Sequence, residues 1–235
     1  MPEIEITKEV LTSFAGTLLA LLSAGFIWFL KSAYEKHRSE VLALAKFERI
    51  FAIDMTILKD NFEFVDKWLT SLENNRPYSF HFENYYINEE ETYKLSNLKL
   101  INQILSINYK LRRTGLDLDN IYKGYWDTIF RIDSIQDDTR KENNLKIYHD
   151  TIKKILGQMK LNHEPLKNNL IYVVAFIRAA HKVRLHSLFG YVSLIFVDIF
   201  PRITKKSIER EVVLLKANIE RNEKAQNNFM TDKDL

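Results

Sequence analysis

Arg178, His181, Lys182, Arg184 and His186 crowd into one run, RAAHKVRLH, between the apolar stretches LIYVVAFI and SLFGYVSLIFVDIF. At about 100° per residue, Arg178, His181, Lys182 and His186 share one helix face, with Arg184 at its edge. Phe176, Ala179, Ala180 and Val183 lie opposite. A cationic face of this kind can neutralise phosphate, on a ligand or on nucleic acid. It can also line the watery lumen of an oligomer, or stand as a solvated stripe at an interface. His181 and His186 are five apart, not the four that sets two ligands on adjacent turns, so no metal site is expected. No phosphate-binding glycine loop, G-x-S-x-G or H-E-x-x-H occurs, and six scattered glycines cannot build a glycine-rich cradle. Asp133, Asp137 and Asp138 fit a solvated helix end better than an acid pair. We therefore expect no catalytic residue and no cofactor.

The rest of the composition narrows the class. Gly and Pro together number ten in 235 residues, too few for the turns of an all-β chain. There is no Cys, so disulfides, thiol catalysis and sulfur-ligated zinc are excluded. A net charge of +3 is too mild to imply nucleic acid on its own.

The elements that must position the cationic run begin with a membrane span. Residues 10–30, VLTSFAGTLLALLSAGFIWFL, carry no charge. As a helix they cover about 31 Å, matching a hydrocarbon core of about 30 Å. A cleaved secretory signal would have a basic start and a shorter apolar core. Here Glu3, Glu5 and Glu9 precede the run, with Lys8 the one Lys or Arg. Lys31, Lys36 and Arg38 follow it, so the positive-inside rule places the N-terminus outside and the body in the cytoplasm. Trp28 fits an interfacial anchor. Thr12, Gly16, Ala20 and Ala24 recur every four residues, a stripe of small side chains that favours helix association in lipid.

Beyond the span, Phe47, Phe51, Met55, Leu58, Phe62, Val65, Leu69 and Leu72 step by three and four, as in a helix-packing seam. The spacing predicts a helix over 33–73 that can run on from the span and ends at Asn74-Asn75-Arg76-Pro77. Residues 78–87 alternate aromatics without an evident partner strand and read as a loop on the bundle, with His81 structural. Further helices are expected over 89–113, capped by Asn88 and stopped by Gly115, then from about 117 to 134. Two more follow over 142–162, with Ile147, Ile152, Ile155, Leu156 and Met159 inward, and over 165–199, opened by Pro165. A last one covers 203–224, with Ile208, Val212, Leu215 and Ile219 inward. The expected fold is all-α: an anchor over 1–32, a cytoplasmic bundle of about five to six helices over 33–224, and a polar tail over 225–235. Charge is uneven, −4 over 117–138 and +7 over 139–186.

The span over 10–30 and the Arg178–His186 helix give the chain a layout that resembles small single-pass membrane proteins of bacterial anti-phage defence. One such group accompanies RNA-targeting CRISPR systems and is similar to a HEPN domain on a membrane helix. The resemblance implies a homo-oligomer that perturbs the inner membrane. The HEPN ribonuclease motif is Arg, four to six residues, then His. Seven residues separate Arg178 from His186 and two separate it from His181, so the resemblance does not carry a catalytic pair. The expected function is membrane-anchored and non-enzymatic, with the bilayer and a second copy as partners. A tethered nucleic-acid or phospholigand binder with a HEPN-like domain and residual ribonuclease activity, and a scaffold for a protein partner, are the alternatives.

Overall fold

The computed structural model describes residues 2–73, 82–86, 89–186 and 203–231. Among them are four α-helices and one 3-10 turn, and no strand. The helices are α1 (Pro2–Glu73), α2 (Leu98–Asp133), α3 (Asp138–His186) and α4 (Lys205–Thr231), and the turn is Glu90–Lys94. The all-α class stands, while the expected five to six body helices reduce to four helices in all among the described residues.

The count falls because two expected breaks are not breaks. Gly115 lies inside α2, where a Cβ would stand 3.3 Å from Cδ2 of Tyr85. The glycine leaves room for that ring rather than ending the helix. Pro165 lies inside α3, not at a helix start. Proline in a helix interior costs roughly 3 kcal/mol, because it removes a donor and crowds the preceding turn. Leu166 and Leu170, just after it, are buried, and each contributes about 1.5–3 kcal/mol. His163 also stacks on Phe62 at 4.3 Å between centroids. Packing therefore outweighs the break, and α3 continues.

Other boundaries shift for local reasons. Asn97, not Asn88, caps α2, its side chain accepting from the Leu100 N–H at 2.9 Å. Asp137 accepts from the Arg140 N–H at 3.1 Å and opens α3. α4 runs to Thr231, seven residues past its expected end. Residues 187–199, expected as the end of the 165–199 helix, lie outside the described residues, as do Asn88 and His81.

The seam of α1 is the heart of the core. Phe47, Phe51, Leu58, Phe62, Val65 and Leu72 are buried, and Met55 and Leu69 pack partly against them. The inward set on α3 is partly corrected: Ile152 and Leu156 are buried, but Ile147 is exposed and Ile155 half-exposed. Pairings fix the directions. Trp68 meets Tyr125 edge-on at 5.3 Å, and Ser96 meets Glu40, so α2 runs alongside α1 in the same direction. Lys160 meets Asp66 and Arg184 meets Glu40, so α3 runs antiparallel to α1.

Candidate functional site

The cationic run lies on the last turns of α3, and carboxylates from two other helices meet it. Arg178 Nε donates to Glu48 Oε1 at 2.7 Å. His181 Nδ1 stands 3.6 Å from the other oxygen of Glu48. Lys182 Nζ donates to Glu211 Oε1 at 2.7 Å. Arg184 Nε lies 3.3 Å from Glu40 Oε2, and its Nη2 donates to Ser96 Oγ at 2.8 Å. The side chain of His186 lies outside those described.

These contacts change what the face can do. Arg178, Lys182 and Arg184 each sit on a carboxylate of α1 or α4. A cleft of about 470 Å³ opens there, lined by Glu48, Arg178, His181, Lys182, Glu211, Leu214 and Asn218. Its charges balance, so an incoming phosphate would have to displace a carboxylate already in place. Glu40 and Glu211 are 3% and 6% exposed, and a buried carboxylate is costly without a cation. The run thus fastens three helices in register.

A second constellation, absent from the sequence analysis, lies along α1. Glu40, Asp54 and Asn61 are all buried, and with Phe47 they fall at steps of seven. They line one edge of the helix and hold the chain that returns beside it. Asn61 donates to the Glu83 carbonyl and accepts from the Glu83 N–H, both at 2.9 Å, as a paired strand would. Asp54 Oδ1 accepts from the Tyr86 N–H at 2.6 Å. Glu40 Oε1 accepts from the Ser96 N–H at 3.1 Å and from its hydroxyl at 2.6 Å. The aromatic segment with no partner strand therefore finds its partners in side chains of α1.

Burial shifts several groups here. It pushes the Asp54 carboxyl up to about 7, against the opposing Tyr86 hydrogen bond. It pushes the Tyr85 hydroxyl up to about 12, against an opposing hydrogen bond from Asn61 and with the Asp54 charge adding to it. His37 is held below its usual value by burial and by the Arg184 charge, with Glu40 opposing. Among the described residues no cluster of three or more His, Asp or Glu is placed to hold a metal ion.

The apolar N-terminal stretch is built differently. One helix among the described residues is long and apolar enough to cross a membrane, by length and composition. Every side chain from 10 to 29 is exposed, including Leu11, Phe14, Leu22, Phe26 and Trp28. Thr17 Oγ1 donates to the Ser13 carbonyl at 2.9 Å and Ser23 Oγ to the Leu19 carbonyl at 2.8 Å. Hydroxyls satisfied within the helix are what a hydrocarbon surrounding requires. Thr12, Gly16, Ala20 and Ala24 are all exposed, and open space surrounds the point where a Cβ on Gly16 would stand.

No protein-family model, curated protein or solved structure matches the chain.

Proposed function

We propose that this chain is a single-pass inner-membrane protein, N-terminus outside and helical body in the cytoplasm. It assembles with copies of itself through Thr12, Gly16, Ala20 and Ala24 and acts by interaction rather than catalysis. In a defence setting, which its layout resembles, the assembled spans would perturb the membrane.

The observation that carries this reading is the bare apolar surface over residues 10–29, continuous with a helix whose lower half is the core of the body. Nothing among the described residues covers that surface. Lipid and a second span are the two coverings that suit it. Small side chains let two such helices approach closely enough for dispersion contacts to hold them. The paired state of Arg178, Lys182 and Arg184 supports a structural part for them over a phosphate-binding one.

The test is the mass of the detergent-extracted protein by light scattering, with the detergent subtracted, for wild type and for Gly16→Leu/Ala20→Leu. A discrete oligomer that collapses in the variant is expected. A monomer in both would overturn assembly through the stripe. Loss of membrane potential on expression is the companion readout for membrane perturbation, and an unchanged potential would count against it.

A further inference from the structure

The fold carries a set of cations from late in the chain back to the level at which α1 leaves the membrane. α4 runs antiparallel to α3: Lys182 meets Glu211, Asn218 shares a cleft with Arg178, and Thr204 and Ser207 share another with Val183. α3 in turn brings Arg184 to Glu40 of α1. Moving from Glu211 to Lys206 therefore leads toward the span, to about the level of Arg38. That level is roughly 12 Å along the helix from Leu30. The headgroup layer takes up about 5–8 Å of this distance. Extended lysine side chains cover much of the rest, and the Debye length is about 8 Å at physiological salt.

Lys205, Lys206 and Arg210 are exposed, the Lys205 side chain by 91%. Lys31, Lys36 and Arg38 on α1 are exposed as well. Glu35 and Glu209 are the exposed acids interspersed with them, Glu209 at 3.8 Å from Lys205. The first turn of α4 holds no acid, and cations there oppose the helix dipole, so local helix stability does not account for them. Residues 117–138, which lead toward the other end of the body, carry a net charge of −4 with Lys123 and Arg131 counted.

We propose that Lys205, Lys206 and Arg210 join Lys31, Lys36 and Arg38 in a collar that docks the body onto the anionic headgroups of the leaflet below the span. This rests on the membrane-anchored reading above. Charge complementarity names the occupant: an anionic lipid surface is the one partner that the anchor holds permanently at this level.

The chain has no cysteine, so Val213→Cys, exposed on α4, gives a single labelling site in the full protein. Energy transfer from that label to labelled headgroups is read in nanodiscs of phosphatidylcholine alone or with phosphatidylglycerol added. Transfer is expected to rise about twofold with the anionic lipid and to fall back at high salt, where the Debye length shrinks. It is expected to be lost in Lys205→Gln/Lys206→Gln/Arg210→Gln and kept in Lys216→Gln/Lys224→Gln. Equal transfer in both lipids, or a rise that survives the triple substitution, would overturn the collar and leave these cations to an acidic protein partner. Alkaline carbonate extraction separates the two readings. A chain released from vesicles fails as an anchored protein, whereas a retained chain with lipid-independent transfer fails only as a docked one.

Discussion

Asp54 is a carboxylic acid at the centre of an apolar seam, with Ile50, Phe51, Ile57 and Leu58 around it on α1. Its folded value of about 7 lies above that of an unfolded aspartate, about 3.9. Between those values the folded chain holds a proton that the unfolded chain has lost. The stability this contributes is full below about pH 4, falls as pH rises, and is gone above about pH 7. Burial holds His37, His149 and His163 low, which gives the opposite slope: their contribution is present above about pH 6.5 and lost on acidification. The Asp54 effect is therefore read as a difference. Asp54→Asn keeps the acceptor for Tyr86 and removes the titration. Its unfolding free energy relative to wild type should rise between pH 5 and pH 8, by an amount on the order of 2–4 kcal/mol. A difference that stays constant with pH would refute the burial account. Arg184 poses the complementary case. Arg184→Ala strands Glu40 and should cost about 3–5 kcal/mol in urea unfolding, with Glu40→Gln added to it restoring part. At this scale the sequence was half legible. The cations of 178–186 stand out because they are close together, but their partners Glu40, Glu48 and Glu211 lie on other helices and look like ordinary surface acids. Asp54 and Asn61 could have been noticed as polar residues in phase with Phe47.

The helices were legible where a pattern repeats. The α1 seam holds seven apolar steps, and each adds to the same face, so a single exception does not hide it. Breaks were illegible because one residue decides them, and its role depends on a neighbour distant in sequence. Gly115 reads as a stop until Tyr85 is seen lying against it. Gly124 and Gly157 lie inside α2 and α3, with open space where a Cβ would stand. Gly124→Ala and Gly157→Ala should each stabilise the body by about 0.5–1 kcal/mol, with the two effects additive in denaturant midpoints. Gly115→Ala should gain less than either, because its Cβ would press on the Tyr85 ring. Asn61→Ala removes both bonds to Glu83 and should cost roughly 2–4 kcal/mol. An unchanged midpoint in that variant would mean that the returning segment is held by its aromatics alone.

Across the whole molecule, the long apolar helix over 10–30 was the most legible feature, because 21 uncharged residues are informative without any tertiary context. The body's axial polarity was not. It arises only when α3 and α4 fold back and bring 205–210 to about the axial level of 31–38. α1 itself spans about 108 Å as one helix. No Gly or Pro stands between Gly25 and Glu73, so the backbone offers no joint between the apolar run and the core. Any turning of the span about its axis must then appear in the body at the same angle. In the proposed assembly, azimuth becomes an inherited quantity: the face by which two apolar stretches meet would fix which faces of two bodies look at each other. One alanine inserted after Lys31 would swing the body by about 100°, and seven would bring it back to within about 20°. Cross-linking between bodies, followed against the number of inserted residues, should therefore rise and fall with the helical repeat rather than decline steadily.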